Sequence, residues 1–279
     1  MSEIHAGPPT APPAARIRLP VWRLFAASFA SVFSHPVDFI ARAWLWIALA
    51  AAAVLGFSYA DLVLSGWLEL AVLLIATVGG LWFAFGWHRG LLLHERADWR
   101  GGLRFDLAFG RFVFVAVMVA FWYALVHFLF HLVATASFRA PVDGTTLQKT
   151  AWLAALTVLP MILALPVGVR LMLGFPFAAI RSEPHAVSLG WAAARGNVWR
   201  LCVLFVGTQL VVQIIATGAV AAITSVLISF GLQPLIAPAI KMAMPVFVFL
   251  AAAIGASLAS YSYAVLTGHP LAKEVLPQS

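Results

Sequence analysis

Charge is what this sequence has least of. Only 10% of its 279 residues are Asp, Glu, Lys or Arg, against roughly 25% in an ordinary soluble domain. Too few polar side chains exist to cover a water-facing surface, which excludes a soluble globular fold. The single cysteine, Cys202, excludes an intrachain disulfide and any cysteine-rich zinc or iron–sulfur site. Neither an H-E-x-x-H zinc motif nor a Walker-type phosphate loop occurs. The first residues do not read as a secretory leader either. The opening MSEIHAGPPTAPPAARIRLP places its Pro/Ala-rich stretch before the first basic residues, with no small-residue cleavage site after a short apolar run. Residues 1–16 read as a disordered cytoplasmic tail.

What is abundant is apolar: 63% of the residues are hydrophobic, and there are 11 tryptophans. A bilayer core takes about 20 apolar residues as a helix. Six stretches qualify, at about 38–59, 66–88, 111–136, 150–173, 198–228 and 239–266. The expected fold is all-α, a polytopic membrane bundle of about six spans forming one domain over 17–279.

The basic residues give it an orientation. One set holds Arg16, Arg18, Arg23 and Arg42, then Arg89, Arg96, Arg100, Arg104 and Arg111, then Arg170, Arg181, Arg195 and Arg200, and finally Lys273. The other holds only Arg139, Lys149 and Lys241. The sets alternate from loop to loop at 14 against 3. The positive-inside rule therefore puts the first set and both termini in the cytoplasm. The net charge of +7 is accounted for by orientation, and no basic stripe remains for nucleic acid. The implied partners are membrane lipids, anionic headgroups among them, with a membrane protein partner as a further option. No cofactor is implied.

The cytoplasmic segments have a recurring form. VWRLFAASFASVFSHP places Trp22, Phe25, Phe29, Val32 and Phe33 on one helical face, with Arg23, Ser28, Ser31 and Ser34 largely elsewhere. Pro36 suits the first turn of span 1, and Asp38 and Arg42 are spaced to pair. EPHAVSLGWAAARGN has Pro184 at a helix start and Gly196 at its end. GGLRFDLAFG is a shorter version before span 3. Each reads as an interfacial amphipathic helix feeding an outward span, giving three units of surface helix, span out and span back.

Two segments carry a resemblance: WHRGLLLHE followed by GGLRFDLAFGRFV, and VRLMLGFPFAAIRSEPHAVSLGWAAARGNVWRL. The second has an Arg at a span end, a Phe-Pro step, an acid, a surface helix with a Trp, then Arg-Gly and Trp-Arg-Leu. This pattern resembles a broad bacterial inner-membrane family of six-helix proteins. It is related to the membrane domain fused to some glycerophosphodiester phosphodiesterases. The resemblance covers about the middle half of the chain, and its motifs are topological. It implies the fold and the inner membrane. It implies no activity, because tail, spans and short loops take up all the residues present.

Candidate chemistry is sparse. Span 3 carries Tyr123, His127, His131 and Thr135 at successive i+4 positions, hence on one face. Two histidines alone do not make a metal site, and hydrogen bonding to a neighbouring helix is the plainer account. Span 5 has a matching stripe of Gln209, Gln213, Thr217 and Thr224. At 1.5 Å per residue Tyr123 and Gln209 sit at ~18 and ~16 Å from their cytoplasmic starts. The two stripes are therefore expected to face each other in the outer half of the membrane. Span 6 has Ala251, Gly255 and Ala259, and span 2 has Ala76, Gly80 and Ala84. Both sets read as close helix packing. Arg170, in an apolar run, is expected to pair with Glu95, Asp98 or Asp106 or to bind lipid phosphate, with Arg181, Arg195 and Arg200 as further headgroup or structural charges. Ser257, in Gly255-Ala256-Ser257, lacks the following glycine of a rhomboid-type serine. No catalytic constellation emerges. The expected role is non-enzymatic, at the lipid interface or as an accessory subunit. The alternative is a small permease with a polar cavity between spans 3 and 5.

Overall fold

A computed structural model describes residues 17–57, 62–97, 106–137, 145–180 and 185–276. The expected tail 1–16, the loop acid Asp98 and the headgroup candidate Arg181 lie outside them. The described residues form nine α-helices and no strand: α1 Val21–Ser34, α2 Pro36–Phe57, α3 Leu62–Leu93, α4 Leu107–Ser137, α5 Thr146–Met172, α6 Gly174–Ile180, α7 Ala186–Ala193, α8 Val198–Ser229 and α9 Ile236–Thr267.

Local chemistry sets several ends. Thr145 and Gln148 cap α5 reciprocally, each side chain accepting from the other's backbone N–H. Gly268, at φ 72°, closes α9 in the left-handed conformation that L-residues avoid. Asp106 accepts from the Phe109 amide at 2.8 Å and starts α4. Pro160, Pro166 and Pro245 all lie inside helices that run on through them.

Among the described residues five stretches are long and apolar enough to cross a membrane: Pro36–Ala53, Leu107–Ser137, Thr146–Ile180, Val198–Ser229 and Gln233–Thr267. Hydropathy predicts six. The remaining one, 66–88, falls within α3, whose 32 residues extend ~48 Å. The chain is a multi-pass helical protein. Successive long helices pack as the hairpins α2–α3, α4–α5 and α8–α9, and α3 also lies against α9.

Separate helices stand at two of the three positions where surface helices are expected. α1 packs along α9, and it does so through its serine side: Ser28 and Ser31 are buried, while Trp22 is 81% and Phe33 62% exposed. Leu24 and Val32 are buried beside the serines, so only part of the apolar face, with Trp22 and Phe33, is turned outward. α7 is the second, and Gly196 with φ 80° follows it as expected. Before span 3 there is no separate surface helix among the described residues. Leu107–Gly110 are simply the first turn of α4, because Asp106 caps it there.

α6 is an element the sequence pattern does not announce. Its Pro176, Phe177, Ala178 and Ala179 are buried, and it packs against α3, α4 and α7. Most of the buried core lies at the same end of the bundle, which carries Arg89, Glu95 and Arg170: Trp87, Phe85, Phe112, Leu173, Leu204 and Ile254 are all at most 2% exposed. We term this the basic end.

Candidate functional site

The predicted polar stripes do not meet. The stripe of α4 turns to α5. Tyr123 lies so close over Gly168 that a Cβ there would collide with its ring. His127 and His131 share an open apolar cleft with Pro160 and Met161. The two imidazoles approach each other, Nε2 to Nε2 3.1 Å, and the Thr135 hydroxyl donates to the His131 carbonyl of its own helix. On α8, Gln213 and Thr217 are exposed and Thr224 is half-buried. Only Gln209 of that stripe faces a cavity, and it is a different one. Four residues on one face of a helix do not say which neighbour that face meets. Among the described residues no three His, Cys, Asp or Glu groups converge as a metal would require.

An apolar cavity lies where α3, α4, α5, α6, α8 and α9 converge. It holds about 300 Å³, and its walls include Leu81, Ala84, Phe112, Leu173, Phe205, Ala251, Gly255 and Ala259. α3 and α9 do pack against each other, but Ala84 and the small residues of α9 also border this space. Ala84 of α3 and the Ala251–Gly255–Ala259 stripe of α9 leave space between them, and a Cβ added at Gly80 or Gly255 would meet nothing within 4 Å. Small side chains permit close approach but do not enforce it. Here Phe83, Trp87 and Phe249, packed within 5.7 Å of one another ring to ring, act as spacers beside the small residues.

Three polar residues line the cavity: His88, Gln209 and Ser262. His88 is fully buried, with Nδ1 2.7 Å from the Ser260 hydroxyl and its ring stacked on Phe175. The Ser262 hydroxyl is buried with no hydrogen-bond partner, a condition that costs about 1–3 kcal/mol. None of these three belongs to the predicted cluster except Gln209. His88 stands out in the sequence only as a histidine at a span end, and the serines of α9 look like ordinary small residues.

Ser257, discarded as a nucleophile, has a structural task. It accepts a hydrogen bond from Trp87 Nε1 at 2.8 Å and sits 2.8 Å from the Ser31 hydroxyl. It thereby ties α3 and α1 to α9.

At the basic end the arginines are held in different ways. Arg89 is bidentate on Glu95 and also donates to the Ala179 carbonyl at 2.8 Å. Arg42 donates to the Glu95 carbonyl at 2.7 Å and lies over Trp87, rather than pairing with Asp38. Arg170 does not pair with Glu95. Its guanidinium lies over the Trp191 ring at 4.6 Å, and its Nε is buried without a hydrogen-bond partner. Arg200 donates to the Leu19 carbonyl at 3.1 Å, and Asn197 clamps the same segment through the Leu19 amide and the Ile17 carbonyl. Arg195 is exposed.

This arrangement can enclose an apolar molecule and offer it a few hydrogen bonds at one end. No family model, curated protein or solved structure matches the chain, so the likeness to the six-helix inner-membrane family rests on the quoted residues alone.

Proposed function

We propose that this is a non-enzymatic protein of the bacterial inner membrane, with both termini cytoplasmic, that works at the lipid interface by holding an apolar membrane molecule in its central cavity. The observation that carries the reading is the cavity of about 300 Å³. That size sits at the lower bound of roughly 300–1,000 Å³ for small-molecule sites. An apolar cavity of this kind does not fill well with water, which needs several polar partners. A hydrocarbon chain or ring fits the walls, and a carbonyl or hydroxyl at its end satisfies Ser262. The exposed aromatic side of α1 and the 14-to-3 basic asymmetry support the interfacial setting and the orientation.

Mass spectrometry of the protein released from native membrane tests this directly. The wild type should retain an apolar molecule, and Gly255→Leu, which fills the cavity, should release it while the fold remains intact. A bare wild-type protein would end the proposal. Orientation is tested separately, by an export-dependent reporter that should be active after Asp143 and silent after Ser182 or Lys273.

A further inference from the structure

A second pocket, of about 380 Å³, opens at the basic end beside α7. Arg111, Phe114, His185, Ser188 and Trp191 are among its walls. Arg111 lies on the first turns of α4, and its Nη1 is buried without a hydrogen-bond partner. Arg170 is not one of the pocket's walls but rests on Trp191, which is, with its own Nε unpartnered. Neither guanidinium has a carboxylate partner among the described residues. The pocket is also lined by the first turn of α7, Ala186 to Ser188, whose backbone N–H groups have no acceptor within the helix. Guanidinium N–H groups left without acceptors are costly, and Arg111 beside a helix start makes the counterpart of an anion.

We infer that this pocket holds a phosphate group, with Arg111 as its direct ligand and Arg170 fixing the Trp191 wall and adding positive potential. A guanidinium fork matches phosphate oxygens, and the amides at a helix start favour the same charge. Phe114 and Trp191 supply an apolar rim suited to a phosphate carried on a lipid, though a free phosphate offers the same oxygens. The site does not depend on the central cavity or its occupant.

The full chain in phosphatidylcholine nanodiscs gives the test, with short-chain phosphatidylglycerol in one arm and inorganic phosphate in the other. Thermal unfolding and native mass spectrometry read the result. Stabilisation by phosphatidylglycerol alone identifies a lipid headgroup, and stabilisation by inorganic phosphate alone identifies the free anion. Arg111→Gln should weaken the effective ligand about tenfold or more, and Arg170→Gln should weaken it less. Arg18→Gln, at an exposed arginine, should leave it unchanged. No stabilisation of the wild type in either arm overturns the inference, a readout that needs no variant to fold. Equal losses from Arg111→Gln and Arg18→Gln overturn it too, since the effect would then be general surface charge.

Discussion

The basic end of the bundle and the far end are built from the same apolar helices, yet they are held together differently. At the basic end aromatic rings stack in series, Trp46 on Trp82 and Trp82 on Phe109, and α6 fills the space that diverging helices would leave. At the far end Phe128, Leu153, Ile162, Leu163 and Ile214 are all more than half exposed, and the histidine pair sits in an open cleft. Lipid explains how both can belong to one fold. A leucine facing hydrocarbon loses nothing by staying unpacked, so only groups with directional needs must be brought together. Those needs, hydrogen-bonding serines and cations, lie mainly at the basic end.

The comparison breaks first, and most visibly, by truncation. Trp87→Ala removes a buried indole and its bond to Ser257, and should cost about 3–5 kcal/mol in reversible unfolding in micelles. Phe128→Ala at the far end should cost under ~1 kcal/mol. Comparable losses would mean that the far end is packed after all.

A finer test uses two adjacent glycines on α3. A Cβ at Gly79 would lie 2.7 Å from the Trp46 ring, whereas at Gly80 it meets nothing. Gly79→Ala should therefore destabilise by about 1–3 kcal/mol, while Gly80→Ala should stabilise by up to about 1 kcal/mol. The same sign for both would contradict the assignment of one face to packing and the other to open space.

Replacing His127 and His131 together by Leu should change stability by less than ~1 kcal/mol. A large loss would give that pair a partner the cleft does not reveal.

The smallest effect concerns pH. His269, just after α9, has its pKa lowered from 6.5, by burial first and by the nearby His94 second. The folded state thus binds the proton less readily than the unfolded state. Stability from this residue is complete above about 6.5 and declines as the pH falls below it, until the lowered pKa is passed. His269→Gln should flatten the stability profile in that window.

The helices were legible because apolar length is written directly in the chain: the structure runs α2 over Pro36–Phe57 and α9 over Ile236–Thr267 where hydropathy expects about 38–59 and 239–266. Their directions were not. When every face of a helix is apolar, hydropathy cannot tell the face that meets protein from the one that meets lipid. That is why His127 was aimed at α8 but lies by α5, and why Gly255 was assigned to a contact but borders a void. The serine side of α1 was visible as a pattern, but its burial follows only once the surroundings are known to be hydrocarbon. α6 hid for the opposite reason, since GFPFAAI is too short to show a period.

The docking of α1 on α9 joins the first and last α-helices of the described residues. Ser31 and Ser257 are 226 positions apart, and Arg23 reaches the Val275 carbonyl from an even greater separation. A chain made from its N-terminus onward can seat α1 on α8, through Asn197 and Arg200, before α9 exists. Ser28 and Ser31 wait longer, because the helix that covers them is α9. Contacts of such long range are slow to form. The last step for α1 is therefore the burial of its serines, and a chain cut before α9 leaves Ser31 without Ser257.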